Sequence, residues 1–174
     1  RNGADVDFVP VFNMRFDFTA LSTAYITGYP DGTFRPQNNV TRAEACKIIA
    51  SLINPENTVL GTVSFADVPA DAWYANYVAT LENYSALGLW EDSFNADEKI
   101  TRAELVQIIY NIADHVRKNS KFIHVSDVAA GKSYYNAVMY SISEGIVAGY
   151  EDGTFKPDNP ITRAETVTVI NRFI

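Results

Sequence analysis

The sequence predicts a mainly α-helical protein built from three helix–loop–helix repeats that are stacked or arranged around a common axis. The tetrapeptide Thr-Arg-Ala-Glu occurs three times, at Thr41–Glu44, Thr101–Glu104 and Thr162–Glu165, at intervals of 60 and 61 residues. An apolar stretch of helical periodicity follows each copy, and turn-forming residues precede it. One unit of about 50 residues cannot bury its apolar face alone, so the repeats must pack on one another.

The composition is that of a globular protein and argues against several functions. The chain has 174 residues, of which 47% are hydrophobic and 20% charged, and a net charge of −7. General nucleic-acid binding needs a basic surface, so we expect no nucleic-acid partner. No apolar run reaches the about 20 residues of a membrane span, so we expect no membrane insertion. The chain shows no signal-peptide pattern and begins at Arg1 in mid-pattern, so we expect it to be a segment of a longer protein.

Residues 1–20 match nothing later in the chain. Within residues 6–18, six hydrophobic residues fall on even positions, a period of two that predicts a short β-strand, and Pro10 confines that strand to a sheet edge. These even positions are Val6, Phe8, Phe12, Met14, Phe16 and Phe18. We interpret the segment as the end of an upstream β-domain; the alternative is a strand docked on the repeats.

The repeats are assigned to residues 21–60, 61–121 and 122–174. The first helix of the third repeat is predicted at Tyr135–Glu144, with Gly145 as its C-cap, and that of the second at about Ala72–Leu87. The first repeat has only the stub ALSTAYI at this place, which predicts a truncated or rebuilt helix.

The second helices are predicted to begin at the tetrapeptides. A threonine N-cap accepts the N3 amide proton and the N3 glutamate reaches back to the N-cap amide, forming a capping box. The capping residues are Thr41, Glu44, Thr101, Glu104, Thr162 and Glu165. Overlaying the three helices places Cys46 at an inward position, where we interpret it as a small buried hydrophobe. Lys47, Gln107 and Thr168 fall on the solvated side.

Capping does not explain the arginine of the tetrapeptide. Arg42, Arg102 and Arg163 fall on the first helical position, where the helix dipole disfavours a cation. A locally unfavourable residue placed identically three times indicates a function outside its own helix. We favour contact with a ligand over a structural ion pair.

The loops GYPDGTFRP (residues 28–36) and GYEDGTFKP (residues 149–157) each begin 13 residues before the following threonine. Asp-Gly is strong turn chemistry, and Gly32 and Gly153 are predicted at positive φ. The aromatic residues of these loops are predicted to line a rigid surface next to the arginine; they are Tyr29, Phe34, Tyr150 and Phe155.

Three segments of the chain resemble a known family, the S-layer homology (SLH) repeat of bacterial surface proteins. They are FADVPADAWYANYV (residues 65–78), GIVAGYEDGTFKPDNPITRAE (residues 145–165) and GYPDGTFRPQNNVTRAE (residues 28–44). The resemblance covers about residues 21–174. It implies a three-pronged helical assembly with pseudo-threefold symmetry, and a monomeric three-repeat unit.

The resemblance also implies a function. SLH modules hold proteins non-covalently on bacterial envelopes by binding secondary cell-wall polysaccharide, often a polymer with pyruvate ketals, in grooves between adjacent prongs. We therefore expect an extracellular, cell-surface location, a cell-wall polysaccharide or peptidoglycan-linked glycan as partner, and no cofactor, metal or catalysis. The implied ligand-binding residues are Arg42, Arg102, Arg163, Gly28, Tyr29, Asp31, Gly32, Thr33, Phe34, Gly149, Tyr150, Asp152, Gly153, Thr154 and Phe155.

The second repeat departs from the family pattern. It reads GLWEDSFNADEKITRAE, and 13 residues separate Gly88 from Thr101 where 17 separate Gly145 from Thr162. The GYxDGTF turn is missing, so we expect two competent grooves out of three, with Arg42 and Arg163 as the most important arginines. Trp90 serves either as a sugar platform or as a filler of the shortened corner, and we favour the filler.

Four alternatives compete with this prediction. A glycosidase needs two carboxylates at a suitable distance, but no acid pair recurs beyond the capping glutamates. The Asp31-Gly32 and Asp152-Gly153 turns are similar to calcium loops, yet they lack the ligand spacing of such loops, and a turn aspartate bonding its own backbone explains them better. A protein–protein or S-layer self-assembly module and direct peptidoglycan binding remain open.

Overall fold

The computed structural model describes residues 24–113 and 124–174. These residues form five helices: α1 (Arg42–Ile53), α2 (Ala75–Asn83), α3 (Arg102–Ile112), α4 (Tyr135–Ser143) and α5 (Arg163–Phe173). Their only β-type pairing consists of isolated bridges, so the predicted mainly α class is confirmed for the described part. The predicted strand at residues 6–18 and most of the stub at residues 20–26 lie outside the described residues.

The predicted capping boxes are present at all three second helices. In α1, the Glu44 amide donates to Thr41 Oγ1 at 3.1 Å and the Thr41 amide donates to Glu44 Oε2 at 2.9 Å. The same reciprocal pair forms at the starts of α3 and α5. Each helix therefore begins at the arginine that follows its threonine, as predicted.

The first helices end in a left-handed residue. After α4, Gly145 has φ +74° and the Ile146 amide donates to the Ser141 carbonyl at 2.9 Å, which is a Schellman motif. After α2 the same bonds form around Ser85, which has φ +56° although it carries a side chain. The helix therefore ends at Asn83, before the predicted Leu87.

Three backbone segments close a ring at the centre of the molecule. The Val40 amide donates to the Ile161 carbonyl, the Ile161 amide to Ile100, and the Ile100 amide to Val40, at 3.0, 3.1 and 3.0 Å. All three side chains are fully buried or nearly so. This cyclic set of bonds relates the repeats by a pseudo-threefold axis, as the family resemblance implied.

The helices pack across repeat boundaries. The second helix of one repeat packs on the first helix of the next, in the pairs α1 with α2 and α3 with α4. Cys46 lies in the buried core of this packing, and its burial raises the pKa of its thiol, in agreement with its interpretation as a small hydrophobe. Neighbouring repeats thus share one core.

The loop of the second repeat is shorter by one residue, a smaller loss than we predicted. Because Ser85 and Gly145 are the equivalent helix ends, the intervals to compare are 16 residues from Ser85 to Thr101 and 17 from Gly145 to Thr162. Trp90 then takes the place of Tyr150, and Phe94 that of Phe155. Matching Gly88 to Gly145 was wrong, because the left-handed position carries a serine in this repeat.

Candidate functional site

The side chain of each tetrapeptide arginine extends away from its own helix and contacts the loop of the next repeat. Arg102, at the start of α3, donates from Nε to the Phe155 carbonyl at 2.9 Å and from Nη2 to the Ala148 carbonyl at 3.1 Å. Its guanidinium lies 4.7 Å from the ring centroids of both Tyr150 and Phe155. These acceptors explain how a cation is tolerated at the first helical position.

Arg163 makes the equivalent contacts with the loop of the first repeat. Its Nε donates to the Phe34 carbonyl at 2.9 Å and its Nη2 to the Thr27 carbonyl at 2.6 Å. The rings of Tyr29 and Phe34 lie 4.9 and 4.6 Å from the guanidinium. The last repeat therefore closes on the first through this arginine.

Arg42 meets the shortened loop of the second repeat. Its Nη1 donates to the Phe94 carbonyl at 3.1 Å, and its guanidinium lies 4.7 Å from the ring of Trp90. Trp90 is buried and donates from Nε1 to Glu104 at 2.9 Å, which favours its interpretation as a filler. Our expectation paired each arginine with the loop of its own repeat; in the structure, the two complete loops adjoin Arg102 and Arg163, and not Arg42.

The three arginines differ in their acidic partners. Arg42 forms ion pairs with Glu104 at 2.8 Å and Glu98 at 3.1 Å. Arg102 approaches Glu165 at 3.6 Å. No carboxylate within the two described ranges forms an ion pair with Arg163. Among these residues Arg163 is therefore the arginine whose charge no carboxylate offsets, although it is only 6% exposed and donates to two carbonyls.

The backbone amides at the helix starts are already bonded. The arginine amides of α1, α3 and α5 donate to Glu98, Asn159 and Asn38 carbonyls, each in a neighbouring repeat, at 2.8 to 2.9 Å. The following alanine amides donate to carbonyls of the same neighbouring loops. Helix N-termini often bind anions through free amides, but these have none to offer. An anionic ligand must instead be met by side chains.

The Asp-Gly turns are held by their own aspartates. Thr33 donates to Asp31 Oδ1 from its amide and its hydroxyl, and Thr154 does the same to Asp152. These bonds from the threonine side chain and backbone lower the pKa of both carboxyl groups. Gly32 and Gly153 both have φ +79°, as predicted. The aspartates bond their own turn, which is the interpretation that we preferred to a calcium loop.

The loop aromatic residues differ in exposure. Phe34 is 37% and Tyr150 36% exposed, whereas Phe155 is completely buried and belongs to the core. Phe94, at the place of Phe155, is also buried and packs against the rings of Phe65 and Tyr74. The ring of Phe155 therefore contributes no surface to a site, although its carbonyl binds Arg102.

A cavity of about 280 Å³, which we call the Arg163 groove, lies between the first loop and α1. It brings together the arginine of the third repeat, a lysine of α1 and an aromatic residue from the second repeat. Its lining residues are Tyr25, Ile26, Thr27, Gly28, Tyr29, Pro30, Glu44, Lys47, Ile48, Trp73 and Arg163. Trp73 is 58% exposed, which is unusual for a side chain of its size.

A larger cavity of about 720 Å³, which we call the acidic groove, occupies the equivalent place one repeat further on. Gln107 takes the place of Lys47, and Ser133 that of Trp73. Its lining residues are Ser85, Gly88, Leu89, Glu91, Thr101, Ala103, Glu104, Gln107, Asn111, Ser133, Tyr134 and Asp158. No lysine or arginine is among them, so the two grooves differ in the sign of their charge.

The same repeats are recognised by comparison with known families. The model of the S-layer homology domain matches residues 19–46, 64–106 and 126–167. The chain belongs to the S-layer homology family. The first SLH match is shorter than the other two and lacks the part that corresponds to a first helix, in line with the stub predicted for this repeat.

The relatives of this SLH chain include surface proteins. It is 34% identical to the cell surface glycoprotein 1 of Acetivibrio thermocellus over 86% of this chain and 7% of that protein. The cellulosome-anchoring protein of the same organism is 32% identical over 88% of this chain and 36% of that protein. The surface-layer 125 kDa protein of Lysinibacillus sphaericus is 30% identical over 88% of this chain and 13% of that protein. The SLH chain thus spans a small part of these relatives. None of its described helices is long and apolar enough to cross a bilayer.

Two groove residues were missed in the sequence. Lys47 was placed on the solvated side of α1, and Trp73 was placed only within the first helix predicted for the second repeat, at about residues 72–87. Both line the Arg163 groove, whose wall is formed by residues of all three repeats. Periodicity shows which face of one helix is apolar, but it does not show which segment of another repeat lies opposite.

Proposed function

We propose that this SLH chain anchors a larger extracellular protein to a bacterial cell wall by binding secondary cell-wall polysaccharide non-covalently. The Arg163 groove is the main site for an acidic sugar unit, such as one bearing a pyruvate ketal. The observation that carries the proposal is the juxtaposition of Arg163, without an ionic partner in the described ranges, with Lys47 and Trp73 in one open groove. Family membership supports anchoring as the general function.

The chemistry of the Arg163 groove suits an acidic sugar. Charge-assisted hydrogen bonds to a carboxylate contribute about 1.5–3 kcal/mol each, more than neutral ones. Lys47 supplies a second cation, and Glu44 already accepts a hydrogen bond from the Thr41 amide. The exposed ring of Trp73 suits the C–H surface of a sugar ring, whereas the guanidinium groups of Arg35 and Arg163 already lie 4.2 and 4.9 Å from the ring centroid of Tyr29. The groove therefore offers charge for the acid and an apolar platform for the ring.

A second, weaker site is proposed at Arg102. The exposed ring of Tyr150 adjoins this arginine. The ion pair of Arg102 with Glu165, at 3.6 Å, is longer than the ion pairs of Arg42, so Glu165 competes less strongly with a ligand. Arg42, held by two glutamates and covered by Trp90, is the poorest candidate. Two competent sites out of three remain our proposal, with Arg102 in the place first given to Arg42.

Co-sedimentation with cell walls tests the proposal. Walls should retain the chain, and walls stripped of their secondary polymer should not. Lys47→Ala should weaken retention about tenfold, equivalent to about 1.4 kcal/mol, because it removes one cation from the groove. Trp73→Ala should weaken it similarly. Lys99→Ala, which removes an exposed lysine that lines neither groove, is the matched control and should bind as the unaltered chain does.

Three outcomes would contradict the proposal. Equal retention by stripped walls would indicate direct peptidoglycan binding. Sedimentation of the protein without any wall material would indicate self-assembly. Release of sugar fragments during the incubation would indicate an enzyme, whereas we expect binding without turnover.

A further inference from the structure

The acidic groove has a different ligand chemistry from the Arg163 groove. We propose that it is a further carbohydrate site, distinct from the two sites for acidic units at Arg163 and Arg102, and that it takes a sugar unit without acidic groups and rejects the acidic unit. The inference rests on the proposed carbohydrate function. It goes further because it assigns different ligands to two grooves that the repeat symmetry makes equivalent.

The charge of the acidic groove is the first argument. Glu91, Glu104 and Asp158 line it, and no lysine or arginine does. Glu104 is compensated by Arg42, but within the described ranges neither Glu91 nor Asp158 has an ion pair. Two uncompensated carboxylates would repel a third, because like charges a few ångströms apart are unfavourable even near the protein surface. An acidic sugar should therefore bind this groove more weakly than a neutral one.

The hydrogen-bonding groups of the acidic groove are the second argument. The carboxylates of Glu91 and Asp158 only accept hydrogen bonds, and Ser85, Ser133 and Tyr134 add hydroxyl groups that donate or accept. A sugar rich in hydroxyl and amide donors complements such a lining. The half-buried ring of Tyr134 forms part of the wall. The lining thus favours a donor-rich, neutral or cationic sugar.

The size and origin of the acidic groove are the third argument. Its volume of about 720 Å³ is within the usual range for small-molecule sites and more than twice that of the Arg163 groove. The extra room is explained by Ser133 and Gln107, which are smaller or less extended than Trp73 and Lys47 at the equivalent places. The cation and the aromatic platform are lost together, so the two grooves differ in both charge and shape.

Three sugars with the same ring but different charges test the proposal by NMR titration of the chain. They are N-acetylglucosamine, which is neutral, glucosamine, which is cationic, and N-acetylmuramic acid, which carries a carboxylate. The side-chain amides of Gln107 and Asn111 report on the acidic groove, and the backbone amides of Thr27 and Gly28 report on the Arg163 groove. N-acetylglucosamine and glucosamine should shift the Gln107 and Asn111 signals, and N-acetylmuramic acid should bind there at least fivefold more weakly.

Charge removal completes the test. The double variant Glu91→Gln, Asp158→Asn keeps the shape of the groove, and it should reduce the discrimination against N-acetylmuramic acid to less than twofold. Equal binding of all three sugars by the unaltered acidic groove would overturn the inference, as would binding of none while N-acetylmuramic acid shifts Thr27 and Gly28. Loss of all sugar binding at both grooves would overturn the proposed function as well.

Discussion

Replacing Arg102 with alanine should destabilise the whole three-repeat assembly. The residue is only 5% exposed, and its guanidinium binds two backbone carbonyls and approaches Glu165. Truncation leaves the carbonyls of Ala148 and Phe155 without these donors and removes the cation between two aromatic rings. A hydrogen bond that involves a charged group contributes about 1.5–3 kcal/mol, so the loss of two such bonds costs about 3–6 kcal/mol. We expect a loss of this size in the free energy of unfolding.

Urea unfolding followed by circular dichroism measures this loss. With an m value of about 2 kcal/mol/M, the midpoint should fall by about 2 M. Arg35→Ala is the matched control, since Arg35 has an exposed ion pair with Asp31, and exposed pairs contribute at most about 1 kcal/mol. A fall for Arg102→Ala no larger than that for Arg35→Ala would refute the structural role assigned to the tetrapeptide arginines.

Two further predictions concern the second repeat. Ser85→Gly should raise the free energy of unfolding by about 1 kcal/mol, because glycine takes the left-handed conformation at φ +56° without the strain of a side chain; an unchanged or lower thermal midpoint would contradict this. Burial raises the pKa of Asp67, but backbone hydrogen bonds from Phe94 and Asn95 outweigh it and hold the pKa below its usual value. Its stabilisation is therefore complete above about pH 4 and lost as the pH falls through the lowered pKa. Asp67→Asn should show a smaller loss of stability than the unaltered chain on acidification below about pH 4, and an equal loss would contradict the assignment.

Local features of the fold were predictable from the sequence. The capping boxes and the positive φ of Gly32 and Gly153 depend on residues within a few positions of each other, and all were predicted correctly. The second loop was aligned wrongly from the sequence, because a serine at position 85 gives no sign that its backbone is left-handed. The nearby Gly88 was therefore matched to Gly145.

The arrangement of the sites was less predictable. The three tetrapeptides are identical, so nothing in them shows that Arg163 contacts the first loop and Arg102 the third. The burial of Phe155 and the exposure of Phe34 also depend on residues of other segments. Lys47 and Trp73 become groove residues only when three repeats close into a ring. Each of these features depends on long-range packing, which local sequence patterns do not encode.

The role of Arg163 and Lys47 in recognising an acidic glycan is tested most directly by calorimetric titration with purified secondary wall polymer. The polymer is compared before and after chemical reduction of its carboxyl groups to alcohols. The account predicts that reduction weakens binding to the unaltered chain at least tenfold, and that it weakens binding to Lys47→Ala, which retains Arg163, by a smaller factor. Undiminished binding of the reduced polymer to the unaltered chain would contradict it.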